Sequence, residues 1–342
     1  MVLAIILLVL LGFSMLYNVG HFFRGLAGHP GGYARLAGPK LEEITIQENN
    51  TASKIAVIEV NGIITGQPTD GGYSMVDLIR AQLKRAEDDP KVRAVILRVD
   101  SPGGEVLASD EIFNAISEFQ DKAEKPVVAS MGNLAASGGY YISAPCRWIV
   151  ANELTITGSI GVIMQTYNYR ALMDKVGVVP QVYKSGQFKD MLSGSRDLSE
   201  TSDEERGMVK KLIAEVYGKF KEAVAEGRQN SAAANRGEKE KGQSLAADWT
   251  EYADGRVFSG TEAFKLGFVD ELGNFEDAVR RTRKLANMRE ATLIQYQQRL
   301  DFSDLFRMLG KTETPVVKLD LGMEAPKIQA GRLYFLAPTF AH

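Results

Sequence analysis

Three short apolar runs, separated by two stretches of helical spacing, restrict what this chain can fold into more than anything else in it. The first is Ile55-Ala56-Val57-Ile58-Glu59-Val60. The second is Val92 to Val99, with Ala94-Val95-Ile96-Leu97 almost continuous, and the third is Val127-Val128-Ala129-Ser130. Between them, Val76, Ile79, Leu83 and Ala86 recur at helical intervals before Pro90, and Leu107 to Phe119 reads as a second helix. A strand without polar alternation is buried on both faces, which is the environment of a parallel sheet. Strand, helix, strand, helix, strand therefore implies right-handed crossovers and a layered α/β core of repeated βαβ units.

The alternation continues. Trp148 to Ala151 reads as a strand, Thr157-Gly158-Ser159-Ile160-Gly161-Val162 as a turn, Tyr169 to Val176 as a helix and Val178 to Tyr183 as a core strand. Asp203 to Glu226 has the spacing of a long amphipathic helix. Asn230 to Ala253 is polar and reads as a solvated insertion, and Phe275 to Met288 is a last clear helix. Past Arg289 the pattern fades, except for the apolar Leu333-Tyr334-Phe335-Leu336-Ala337, which could dock on a neighbouring surface. At the other end, residues 2 to 17, VLAIILLVLLGFSMLY, are apolar and uncharged. About 20 such residues span a bilayer, a length the run reaches if it extends to Phe22 and Phe23. No basic stretch precedes it and no clear Ala-x-Ala follows, so an anchor is preferred to a cleaved signal peptide. The expected division is an anchor or signal-anchor at 1–23, a linker at 24–53, a globular domain at 54–289 and an extension at 290–342. Arg24, Arg35 and Lys40 follow the apolar run, a bias that by itself places the body on the cytoplasmic side.

The chemistry gathers around Met131-Gly132-Asn133-Leu134-Ala135-Ala136-Ser137-Gly138-Gly139-Tyr140-Tyr141. This stretch joins the third strand to a short helix ended by Pro145. A serine among small residues on a strand-to-helix turn can be presented as a nucleophile, with helix N–H groups turned toward a developing oxyanion. The plainer alternative is a tight turn whose glycines serve only the backbone. Asp100-Ser101-Pro102-Gly103-Gly104 forms a second glycine turn that could offer N–H groups across from Ser137; neither turn has the form of a phosphate loop.

Composition narrows the choice of base. The three histidines are His21, His29 and His342, all near the ends, so a Ser-His-Asp triad and a multi-histidine metal site are both disfavoured. The single cysteine, Cys146, excludes an internal disulfide and reads as a small buried residue rather than a catalytic thiol. A net charge of -3 leaves no electrostatic footprint for nucleic acid. A lysine is the remaining base, provided it is desolvated enough to be neutral. Lys189, between Phe188 and Met191 after an expected core strand, is where partial burial is plausible, but spacing alone does not select it over Lys175 or Lys184.

Five motifs then occur in an order that resembles bacterial signal peptide peptidase A, the protease IV family, in its shorter form with one catalytic domain per chain. They are Asp100–Gly104, Ala135–Tyr141, Thr157–Val162, Ser185–Met191, and Gly255–Gly260 with Gly267–Asp270. The resemblance covers about Lys54 to Asn287. It implies the layered fold shared by Clp protease and crotonase, and a Ser/Lys dyad needing no metal or cofactor. In it Ser137 matches the nucleophile, Lys189 the general base, Ser159 a serine that orients the lysine, and Gly103 and Gly138 the backbone oxyanion donors. It further implies a homo-oligomeric ring, an octamer among the sizes open to it, whose chains contribute to one another's sites. The substrates it implies are remnant signal peptides in the membrane, with small and apolar side chains next to the cut. It also implies a catalytic domain outside the cytoplasm, against the charge bias. Three other readings stay open: a dedicated protease for one membrane protein, a crotonase-like acyl-CoA enzyme, and a non-catalytic scaffold.

Overall fold

The structure is a computed structural model that describes residues 38–68, 72–299 and 333–337. The chain divides into two compact units, Met1–Lys40 and Leu41–His342. The expected anchor at 1–23 lies outside the described residues. Among the described residues no helix is long and apolar enough to cross a membrane.

The second unit begins with β1 (Leu41–Gln47), inside the stretch expected to be linker, and continues with β2 (Lys54–Asn61), α1 (Met75–Asp88), β3 (Val92–Ser101), β4 (Gly103–Glu105), α2 (Val106–Ala123) and β5 (Val127–Ala136). Then follow α3 (Gly138–Ser143), β6 (Trp148–Ala151), β7 (Ile156–Gly158), β8 (Ile163–Met164), α4 (Arg170–Lys175) and α5 (Asp203–Ala234). The remainder is β9 (Val257–Ser259), α6 (Gly260–Lys265), β10 (Glu271–Leu272), α7 (Phe275–Leu285), β11 (Thr292–Gln298) and β12 (Leu333–Leu336).

Nine strands make one sheet in the order β1-β11-β2-β3-β5-β6-β10, with β7 beside the far end of β5 and β9 beside β7. All pairings except β1 with β11 and β7 with β9 are parallel. The molecule is thus mixed α/β with a parallel-dominated sheet. Its two faces explain the continuous apolar runs. Ile58, Val60, Val95, Leu97 and Ala129 pack with Ile79 and Leu83 of α1 and Ile112 and Ile116 of α2. On the reverse face, Ile55, Val57, Ala94 and Ile96 meet Leu293 and Val279, while Val128, Trp148 and Val150 meet Ala278 and Leu285. Helix α1 starts at Ser74, whose hydroxyl and the Asp77 carboxylate form a capping box, and buries the four apolar residues its spacing nominates.

Three expectations need correction. The run Val178 to Tyr183 is not a strand. It has no strand partner among the described residues, and Val179 and Tyr183 are exposed, so its β-branched residues find no ladder to join. The amphipathic helix runs past Glu226 to Ala234, and its second half buries Phe220, Val224 and Arg228. The polar stretch that follows is not freely solvated: Arg147 bonds Asn235 and Glu238, and Arg281 bonds Glu240, tying it to the core.

Candidate active site

Ser137 lies where β5 ends and α3 begins. β5 is held there on both sides, with Ala135 opposite Ser101 of β3 and Ala136 opposite Gly158 of β7. The chain turns from strand to helix within one residue, and Ser137 takes φ 54° and ψ -117°, a conformation that strains any residue with a Cβ. Its N–H donates to Gly158 O at 2.8 Å, and its carbonyl accepts from Tyr141 N at 2.8 Å, so the turn is clamped at both ends. The Oγ is buried and has no hydrogen-bond partner among the described residues. A buried hydroxyl without a partner costs about 1–3 kcal/mol, and such groups persist where a reaction uses them.

The two expected oxyanion donors come together. A Cβ on Gly103, whose φ is +100°, would lie 2.6 Å from Gly138 N, and one on Gly138 would lie 3.0 Å from Gly103 Cα. The two turns therefore touch through bare backbone, which only glycine permits. The N–H of Gly138 opens α3, where a helix leaves its first amides without an intrahelical acceptor. That of Gly103 donates to Ser101 Oγ at 3.1 Å, so it must leave this partner to reach an oxyanion. Ser101, the acceptor, is fully buried, and in the sequence only its place in Asp100–Gly104 marks it.

Ser159 follows Gly158, which pairs with Ala136 and whose carbonyl accepts from Ser137 N, so the strands leading to the two serines run side by side. It too is buried, with φ 52°, and its N–H donates to Arg256 O at 2.7 Å, anchoring it to the base of β9. Gly158 has no room for a side chain, since a Cβ would lie 2.3 Å from the Phe258 ring.

Lys189 is not brought into contact with them. It sits in the segment between β8 and α5, and the partial burial expected of it does not occur in the single chain: it is exposed. No core strand underlies it, because Val178 to Tyr183 is not one. The loop is nonetheless ordered by charge. Asp190 accepts from Lys184 at 2.8 Å and pairs with Arg196 at 3.4 Å, and Arg196 donates to Glu205 at 2.7 Å. The hydrogen bond from Lys184 holds the Asp190 carboxyl below its usual range. Lys175 and Lys184, the other candidates, are likewise exposed. Burial pushes the Cys146 thiol well above its usual range, which removes it as a thiolate nucleophile. No histidine lies among the described residues.

A serine on a clamped, strained strand-to-helix turn beside glycine amides is placed as in enzymes that use a serine nucleophile, and likeness to known proteins makes the class that of the serine peptidases. A family model described as peptidase family S49 matches residues 119–289. The chain is 35% identical over 262 residues to a relative from Enterococcus faecium that bears the name signal peptide peptidase SppA, covering 75% of this chain and 71% of that one. It is 41% identical over 241 residues to a protease from Synechocystis sp., covering 70% and 77%. It is 36% identical over 250 residues to Protease 4 of Haemophilus influenzae, covering 73% of this chain and 38% of that longer one. The chain belongs to peptidase family S49.

Proposed function

We propose that this chain is a membrane-anchored serine endopeptidase with a Ser/Lys dyad, acting on remnant signal peptides and other membrane-associated peptides. Its catalytic domain is of the Clp protease and crotonase type and lies outside the cytoplasm. The reading rests on one observation above all: Ser137 Oγ is buried and unpartnered on a strained turn beside Gly103 and Gly138. The relatives' names supply the substrate class, and the apolar run at 2–17 supplies the anchor.

In this reading the neutral amine of Lys189 takes the Ser137 hydroxyl proton as Oγ bonds to the substrate carbonyl carbon. The oxyanion is held by the N–H of Gly138 and by that of Gly103 once it leaves Ser101. The ammonium returns the proton to the leaving amine as the C–N bond breaks, and the freed lysine then activates the water that hydrolyses the acyl-enzyme. Ser159, at the end of the strand paired beside Ser137, orients the amine.

The exposure of Lys189 fits a base supplied to a neighbouring chain. Its segment displays Tyr167, Leu172, Val176, Val179, Tyr183 and Leu198, each at least 62% exposed, apolar side chains that a second copy would cover. A homo-oligomeric ring in which Lys189 of one copy meets Ser137 of the next accounts for both. A fluorophosphonate probe that labels Ser137 tests the nucleophile directly. Cleavage of an apolar fluorogenic peptide by the wild type, lost in both Ser137→Ala and Lys189→Ala with folding intact, tests the dyad, and wild-type rates from either variant would overturn it.

A further inference from the structure

The two turns of the site stand at the ends of adjacent strands. β3 runs into the Gly103 turn and β5 into the Ser137 turn, so the way β3 and β5 pair sets the distance between a backbone donor and the nucleophile. They pair regularly from Val95 with Val127 to Val99 with Met131, and the next pair is Ser101 with Ala135. Asp100 alone therefore stands opposite Gly132, Asn133 and Leu134. This is a β-bulge with two extra residues, a device that re-aims a strand beside an active site. Here it also changes the strand's other neighbour. β5 pairs with β6 from Val128 to Ser130 and with β7 from Leu134 to Ala136.

A bulge interrupts the ladder, and this one does so just before Ser137. Side chains close the gap. Asp100 Oδ1 accepts from Leu134 N at 3.2 Å. The same carboxyl lies against the bare backbone of Gly132, where a Cβ would come 3.1 Å from the Asp100 Cβ, Cγ and Oδ2. On the other flank Thr155, 1% exposed, donates its hydroxyl to Gly132 O at 2.8 Å and accepts from Asn152 N at 3.1 Å. Thr157 donates to Ala135 O at 2.6 Å. The bulge is thus gripped from β3 on one side and from β7 and the turn before it on the other. Asp100 belongs to both turns at once. Its carbonyl accepts from Gly62 N at 2.9 Å, its chain continues into Ser101, which holds the Gly103 amide, and its side chain holds β5.

We propose that Asp100 is a positioning residue for the reaction: its carboxylate replaces the ladder bond lost at the bulge and so sets Ser137 and Gly138 at the distance from Gly103 that an oxyanion requires. Thr155 steadies the same bulge from the opposite flank. The demand on this geometry is strict. Oxyanion donors act at about 2.7–3.1 Å from the reacting oxygen, and a displacement of about 1 Å costs on the order of 100-fold in rate. The inference rests on the reading of Ser137 as the nucleophile and of Gly103 as a donor.

The test compares the full chain with Asp100→Ala, Asp100→Asn and Thr155→Val, each verified as folded by circular dichroism. For an apolar fluorogenic peptide, Asp100→Ala is expected to lower kcat by roughly 100-fold while KM stays within about twofold. Asp100→Asn keeps an oxygen for Leu134 N and is expected to restore kcat to within about fivefold of the wild type. Thr155→Val is expected to lower kcat in the same direction and stands in for Asp100→Ala if that variant does not fold. Wild-type kcat in the folded Ala and Val variants overturns the proposal, as does an Asn variant no better than Ala. The clasp is also read without turnover: in Asp100→Ala the Leu134 amide is expected to exchange its hydrogen at least about tenfold faster by residue-resolved exchange. A wild type that neither cleaves peptide nor reacts with a fluorophosphonate overturns the peptidase reading instead. The exchange rate at Leu134 then still decides the clasp, and an unchanged rate overturns it.

Discussion

Ser137 combines three costs in one residue: a positive φ, full burial and an unpaired hydroxyl. Ser137→Gly removes the strain and the buried hydroxyl, because glycine accepts this conformation and brings no polar side chain. That variant is expected to melt at higher temperature, by an increment equivalent to about 1 kcal/mol, while peptide cleavage falls by roughly 10⁴-fold or more. A calorimetric scan beside a fluorogenic assay reads both, and a Tm below the wild type would contradict the strain. Cys146 gives a second check at this scale. With its thiol buried and raised, it is expected to resist alkylation by iodoacetamide at neutral pH in the folded protein and to react on unfolding. Mass spectrometry of the alkylated protein decides it.

Among the elements, α5 has two halves of different character. Its first half stands at the edge of the exposed segment, whereas its second half is locked to the core by the Arg228–Asp270 ion pair, both side chains at most 2% exposed. Asp270 also accepts from Ile149 N at 2.8 Å and Gln243 N at 2.9 Å, joining α5, β6 and the polar loop at one carboxylate. Asp270→Ala leaves the Arg228 charge buried and unpaired, and is expected to cost about 3–5 kcal/mol in urea unfolding. A loss under 1 kcal/mol would mean that the pair is not what fixes the helix. The loop at β4 is intolerant for a different reason. Gly103→Ala would drive a methyl group into Phe335 O and Gly138 N, and it is expected to lose roughly 2–4 kcal/mol together with activity.

For the whole molecule, the question is which chain supplies the base. Ser137→Ala and Lys189→Ala subunits, each inactive alone, are expected to regain activity when unfolded together and refolded as a mixture, since some neighbours then pair an intact serine with an intact lysine. No recovery, with mixed assemblies confirmed by native mass spectrometry, would return the dyad to a single chain. An amine base is useful only when neutral, so the cleavage rate of the assembled enzyme is expected to rise toward alkaline pH. A flat profile from pH 6 to 10 would count against lysine.

The helices α1, α2 and α7 and the strands β2, β3 and β6 were readable because their signals are local: burial on one or both faces leaves a period within a few residues. The turn at Ser137 was readable as small residues between a strand and a helix, and the absence of histidine from the body of the chain pointed to lysine. The sequence misled where a local pattern lacked a distant partner. Val178 to Tyr183 has strand composition but no neighbouring strand, and Lys189 followed it into solvent. The apolar tail carried no sign of its destination, since nothing near Leu333 specifies a slot beside Gly103. Composition and periodicity by themselves determined a layered α/β core with a serine at a strand-to-helix turn. Only the tertiary structure decided that Ser101 holds the Gly103 amide, that the strands leading to Ser137 and Ser159 lie side by side and that β12 pairs with β4 and β8, because strand pairing joins residues far apart in sequence and leaves no trace in the residues on either side.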